Sequence, residues 1–401
     1  MPKILYIMPW FCRPSAMNKH CKIFLNSAIC GGVEPIVAAF DGENTFAGNH
    51  TFISCEDLSN RYIAAAIRRV FPDIVNQPDI YKYGTLKKAV KTIMENVDID
   101  NVDCIHSVSF PCSSHLIAKR IVEMTEKPWI AQFYDPWSDN PYRKFKTKYY
   151  RQKDLEQEGT VARCATAIIH TNEIIKKIWA DRYGATVDAK SYVLPMSFEK
   201  ELYSKSEHIK DWKKKTPIVI SYIGKLFFDS NLSSVISALK LLKERNILLT
   251  HRILFRVIGE VPSVNTKMIR DAGLGDVFEI IGYQPQSELE KYYIESDVFL
   301  VIDSPQAQNV FFPSKLLDYF IYKRLIIGIT PNVGVTHDLL TEAHHQVFDN
   351  NDILGIASFI EQILSNPDFL IGFDKEFYKK FSPEKLTKSY MDIIEKVCLH
   401  H

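Results

Sequence analysis

The chain has 401 residues, 46% of them apolar and 24% charged, which excludes a disordered, collagenous or coiled-coil chain and suggests two or three domains. Lys and Arg number 49 against 48 Asp and Glu, so the formal charge is +1. No global field exists to hold nucleic acid, and none is expected as a partner.

In chain order, short and nearly continuous apolar runs alternate with helical spacing. Ile4–Met8, Pro35–Ala39, Cys104–Ser107, Trp129–Phe133, Ala167–His170 and Tyr192–Leu194 read as buried strands. Between them, Met17–Cys30, Ser113–Met124 and Glu173–Arg182 carry apolar residues at helical intervals. A polar, lysine-rich stretch follows at 207–217, and it reads as a linker. Then the alternation restarts with strands at Ile218–Ile223, Ile253–Ile258, Val277–Ile281, Val298–Val301 and Leu325–Ile329. The second set of helices is expected near Leu232–Glu244, Ser287–Ile294, Ser314–Tyr322 and Leu354–Ile363, with a last one at Pro383–Val397.

Strand and helix in alternation imply parallel sheets covered on both faces, so the fold class is α/β with two Rossmann-like domains. The expected division is an N-terminal domain over 1–206, the linker 207–217, a C-terminal domain over 218–382 and a final helical segment over 383–401. Open α/β sheets bind ligands beyond the carboxyl ends of their strands, which directs attention to the cleft expected between two such sheets.

Two stretches after strands stand out. Gly224-Lys225 puts a glycine and a cation at a strand end before a helix, which suits a diphosphate or, equally, a tight turn with a solvated lysine. In Pro313-Ser314-Lys315-Leu316-Leu317-Asp318, the proline suits a first helical turn, and Ser314 and Lys315 then fall where backbone N–H groups lack partners. Asp318, three residues on, could accept from a ribose diol or form an ordinary i,i+3 ion pair with Lys315. Neither a Walker A loop nor a G-x-G-x-x-G fingerprint occurs, and there is no D-x-D triplet or H-E-x-x-H helix, so no metal site and no cofactor are expected.

Gly224-Lys225, Ile281-Gly282-Tyr283 and Pro313-Ser314-Lys315-Leu316-Leu317-Asp318-Tyr319, followed by Lys323-Arg324-Leu325-Ile326-Ile327, resemble the donor half of GT-B glycosyltransferases, nearest to family 4 of the retaining enzymes. Asp103-Cys104-Ile105-His106-Ser107, Ser114-His115-Leu116-Ile117 and Pro128-Trp129-Ile130-Ala131-Gln132-Phe133-Tyr134-Asp135 are similar to the acceptor half of bacterial members that build surface polysaccharides. The resemblance implies two sheets facing a central cleft and a C-terminal helix crossing back to the N-terminal domain. It implies that Gly224, Lys225, Ser314 and Lys315 hold the donor diphosphate, Asp318 its ribose, and Gly282 and Tyr283 its base. Asp135 would lie near the reacting sugar and, with Lys315, serve catalysis, while Arg13, Ser15, Asn18, His106 and His115 would line the acceptor or sugar side. The partners so implied are a nucleotide sugar, UDP- or GDP-linked, and a saccharide or lipid-linked acceptor.

Three positions depart from the family pattern. Val310 stands where a second glutamate is usual, no second lysine follows Lys225 closely, and the loop Phe11–Asn18 has no glycine. A catalytically degenerate nucleotide- or sugar-binding subunit therefore stays open beside the transferase, as does an epimerase or hydrolase.

The tract Tyr142–Lys153 holds six basic residues, no acidic one and four aromatics. It suits an anionic membrane surface, or a solvated helix face with its aromatics packed inward. The opening Met1–Pro9 is too short and proline-broken for a signal peptide, no apolar run reaches the ~18 residues of a spanning helix, and the eight cysteines include no C-x-x-C pair or zinc spacing. Reduced thiols and a cytoplasmic location, with a peripheral contact at the inner membrane face through 142–153, are the expectation.

Overall fold

A computed structural model describes residues 1–12, 15–40, 42–55, 69–71, 73, 83–109, 111–199, 201, 217–226, 230–247, 252–306, 308–366 and 375–399. The chain divides into two compact units, Met1–Glu199 with Phe381–His401, and Lys200–Lys380. Nearly all of the expected linker, 207–217, lies outside the described residues, as does Arg13.

The first unit is built on seven parallel strands: β1 (Lys3–Ile7), β2 (Glu34–Phe40), β3 (Thr51–Cys55), β4 (Cys104–Ser109), β5 (Trp129–Phe133), β6 (Ala167–His170) and β7 (Ser191–Val193). Their order is β3-β2-β1-β4-β5-β6-β7. The second unit has six: β8 (Ile218–Ile223), β9 (Ile253–Ile258), β10 (Phe278–Gly282), β11 (Val298–Ile302), β12 (Leu325–Ile329) and β13 (Gln346–Phe348), in the order β10-β9-β8-β11-β12-β13. In both sheets the chain works outward from the first strand, then jumps back to its other side. That reversal, β1 beside β4 and β8 beside β11, marks where such sheets hold ligands.

Eleven of these strands match the apolar runs of the sequence, within a residue or two at the ends. β3 and β13 were not anticipated. Both are edge strands, and their residues are mostly half-exposed, so neither shows a continuous apolar run. The helix Lys148–Cys164 was missed for a different reason: its inward face carries Asp154, Glu158 and Gly159 beside Val161 and Ala162, so apolar spacing is weak. The helices Tyr83–Asn96, Ala185–Ala189, Ser263–Asp271 and Val335–Glu342 were also unforeseen.

The C-terminal helix Pro383–Leu399 packs on the helix Ala16–Cys30 of the first unit. Thr387 donates to the carbonyl of Ser27 (3.2 Å), and a Cβ on Gly31 would collide with Met391 at 2.7 Å. A buried polar chain ties the same helix to the sheet. The Tyr6 hydroxyl meets that of Tyr390 at 2.9 Å, Tyr390 meets His106 Nδ1 at 2.7 Å, and His106 Nε2 meets Gln132 Oε1 at 3.0 Å. With His106 protonated on Nε2, every link has one donor and one acceptor.

Candidate functional site

In the second unit three neighbouring strands end on glycines with positive φ: Gly224 (134°), Gly259 (137°) and Gly282 (78°). Gly224 N–H donates to the carbonyl of Ile258 (2.8 Å), and Gly259 N–H to that of Gly282 (2.8 Å). The loops after β8 and β9 pass so closely that a Cβ on Gly259 would lie 2.1 Å from the Gly224 carbonyl oxygen. Only glycine fits there, both for space and for φ.

Across the reversal, β8 and β11 pair at Ile220–Val298 and Ser221–Phe299. Beyond it the hydroxyl of Tyr319 accepts from Ile223 N–H (2.9 Å) and reaches the carbonyl of Leu300 at 3.4 Å. A side chain from the helix Lys315–Ile321 thus stands between the two strand ends. The helix starts at Lys315 rather than at Pro313. Leu316 and Leu317 donate to the carbonyls of Pro313 and Ser314, so the expected first helical turn is a tighter one. Ser314 occupies the N-cap position, and its side chain makes no capping bond.

This places Lys315 beside Gly224. Its ammonium lies 3.2 Å from where a Cβ on Gly224 would sit, donates to the Tyr222 hydroxyl (2.8 Å), and stands 4.0 Å from the centre of the Tyr222 ring. Lys225, on the same loop, is half-exposed and paired with Glu260. Asp318 is half-buried and accepts from the Tyr293 hydroxyl at 3.4 Å. Gly282 and the strongly exposed Tyr283 (74%) close β10.

Asp303, one residue beyond β11, was not anticipated. Its carboxylate accepts from Thr330 (2.8 Å) and from Asn309, whose amide also reaches Thr336 (3.1 Å). Burial pushes its pKa up, while these donors and the Lys315 charge oppose the rise. Tyr222 was missed because it lies inside a strand, not after one. Asp303 was legible in principle, since it follows an apolar run directly.

In the first unit, Asp135 lies two residues beyond β5, and burial lifts its carboxyl to about 6. Ser15 caps the helix Ala16–Cys30, accepting from Asn18 N–H at 3.1 Å, and the Asn18 side chain donates to the Phe11 carbonyl. His106 and His115, expected on the acceptor side, are instead fully buried in the core. His115 Nδ1 takes the Ser107 hydroxyl at 2.8 Å, and burial holds both histidines near 3, hence neutral. Val310 is buried and apolar. Among the described residues, no group of three or more His, Cys, Asp or Glu side chains could hold a metal ion.

Residues 204–381, the second unit almost to its ends, match the family model described as glycosyl transferases group 1. The chain carries a glycosyltransferase domain. Solved structures agree over its whole length. HepE from Anabaena superposes with a TM-score of 0.66 at 12% identity, covering 99% of this chain and 100% of the other. Sucrose-phosphate synthase from Thermosynechococcus elongatus gives 0.70 at 13% identity, covering both chains completely, and TarM gives 0.69 at 10%, covering 98% and 99%. At these identities the likeness is one of fold, and the fold is GT-B. No protein of curated function matches the sequence. Within residues 204–381, Gly224, Lys315 and Asp303 come together at the β8–β11 strand reversal.

Proposed function

We propose that this chain moves a sugar from a UDP- or GDP-linked donor to a glycan or lipid-linked saccharide, with retention of configuration and without a metal, in polysaccharide or glycoconjugate assembly. The observation that carries this is the meeting of Lys315 and Gly224 at the strand reversal of the glycosyltransferase domain, with Lys225 on the same loop. HepE has been solved with UDP and with UDP-glucose, and TarM in a complex with UDP and α-GlcNAc-glycerol, which supports a nucleotide-sugar donor.

As the bond between anomeric carbon and diphosphate breaks, negative charge grows on the leaving phosphate. Fixed cations at that point favour the transition state over the ground state, and Lys315, Lys225 and the N–H groups of Ser314 and Lys315 are the proposed donors. Asp318 is assigned to the ribose, and Gly282 with Tyr283 to the base. Asp135 and the loop holding Ser15 and Asn18 are assigned to the sugar and acceptor side. In this reading the leaving phosphate itself takes the proton of the acceptor hydroxyl. Lys144, Lys146 and Lys148, all exposed, are assigned to contact with an anionic membrane carrying the acceptor. The buried Val310 favours a second reading, a nucleotide-binding subunit without turnover.

Thermal unfolding with UDP and GDP tests the donor site first. A nucleotide at 100 times its dissociation constant should add about 2.7 kcal/mol of stability, and Lys315→Ala should abolish the gain. Product analysis with the matching nucleotide sugar then separates transfer, which needs an acceptor, from epimerisation and from binding alone. Turnover should survive EDTA. A complete loss that Mg2+ or Mn2+ restores would refute the metal-free mechanism.

A further inference from the structure

A lysine that binds a phosphate is useful only if its ammonium is already in place, since a free lysine side chain loses about 2 kcal/mol of rotamer freedom when it is fixed. Lys315 is held by one residue. Tyr222, on β8, is almost fully buried, and its hydroxyl makes two bonds at once. It accepts from the Lys315 ammonium (2.8 Å) and donates to the carbonyl of Lys225 (3.0 Å). Its ring lies 4.0 Å below the same ammonium, within cation–π range. One phenol therefore fixes both the cation and the loop, and the ammonium is left directly over Gly224, where no side chain intervenes. Of the three ammonium protons one is spent on Tyr222, and the described residues offer the other two no hydrogen-bond acceptor.

We propose that Tyr222 is a positioning residue for diphosphate recognition: it pre-sets the Lys315 ammonium, and the Lys225 loop beside it, to receive the two phosphates of a nucleoside diphosphate. The proposal rests on the donor-site reading given above. Tyr222 touches no ligand in this scheme, and its effect passes through Lys315.

The test is a double-mutant cycle on UDP and GDP affinity by calorimetry, using the full chain with Tyr222→Phe, Lys315→Met and the pair. Lys315→Met should weaken binding at least about thirtyfold, and Tyr222→Phe about tenfold, as expected for a lost bond to a charged group. In the Lys315→Met background, Tyr222→Phe should change affinity less than about twofold, because the group it positions is gone. If Lys315→Met binds like wild type, the donor-site reading itself fails. If Lys315→Met binds weakly but Tyr222→Phe binds like wild type, that reading stands and the role of Tyr222 is wrong. Equal losses from Tyr222→Phe in both backgrounds would show a merely structural effect and overturn the proposal. Lys315→Arg gives a check that leaves Tyr222 untouched. It keeps the charge but not the fit to the hydroxyl, so affinity should fall about tenfold, and wild-type affinity would show that placement is irrelevant.

Discussion

Two residues beyond β5, the carboxyl of Asp135 is lifted to about 6 because burial penalises its charged form. Its unfolded value is near 3.8, so the native state holds the extra proton between these two values. Stability therefore falls as pH rises through that window, and the cost, about 1–3 kcal/mol, is fully present at pH 7. Asp135→Asn should raise the unfolding midpoint at pH 7, change little at pH 4, and lower transferase turnover. A variant equally stable at pH 7 and fully active would remove both the electrostatic and the catalytic assignment. Lys315 shows the other side of residue-scale reading. Its place near a helix start was legible from Pro313-Ser314-Lys315, but the residue it bonds, Tyr222, is more than 90 positions away along the chain. No local spacing connects two such residues, because the contact exists only once β8 and the Lys315–Ile321 helix pack together.

At the scale of elements, the tract Tyr142–Lys153 changes meaning in three dimensions. Arg143 pairs with the buried Asp154, whose other donor is the Trp137 indole at 2.9 Å. Arg151 donates to the Ser138 carbonyl. The backbone N–H groups of Lys146 and Thr147 both reach Asp73 at 2.8 Å, and Thr147 caps the helix that follows. Two of the six cations thus serve the fold, and Lys144, Lys146 and Lys148 stay exposed beside Tyr149, which is 69% exposed. Each exposed cation is worth about 1 kcal/mol at an anionic bilayer. In vesicle flotation with 30% anionic lipid, replacing the three lysines by glutamate should abolish binding at low salt, whereas Arg143→Gln should destabilise the protein instead. Flotation that ignores lipid charge would leave this segment as a solvated surface. The sequence revealed the charges of this segment but not its partition, because Asp154 and Glu158 disguise a buried helix face as a polar one.

For the whole molecule, titration should distinguish the two units. Burial pushes His106, His115 and His170 down to about 3, and His20 to about 4, all in the first unit. Among the described histidines of the second unit, only His345 is similarly pushed down, to about 4. Unfolded histidines take up protons below about 6.5 while these buried ones do not, so their stabilisation is complete above that pH and is lost as pH falls. Asp135, Asp154 and Glu158, whose carboxyls burial raises, oppose the trend, and the four histidines together leave the first unit losing stability as pH falls from 7 to 5. Four of the five tryptophans belong to this unit, which makes their fluorescence its reporter. Between pH 7 and 5 the midpoint seen by tryptophan should drop well before a second transition does. Parallel shifts of both would contradict it.

What the sequence determined by itself was the alternation of strand and helix, the α/β class, the restart after the lysine-rich stretch, and the motif around Lys315. These depend on local apolar periodicity and on neighbouring residues, which the chain carries in linear order. Tertiary structure alone decided that Tyr222 holds Lys315, that Asp303 joins the same strand reversal, and that His106 and His115 are core residues rather than acceptor contacts. The crossing of the last helix back to the first unit was expected from the family resemblance, and tertiary structure supplied only its contacts, through Tyr390. All of these depend on residues distant in sequence sharing a buried environment, and burial and hydrogen-bond partners are set by packing rather than by spacing along the chain.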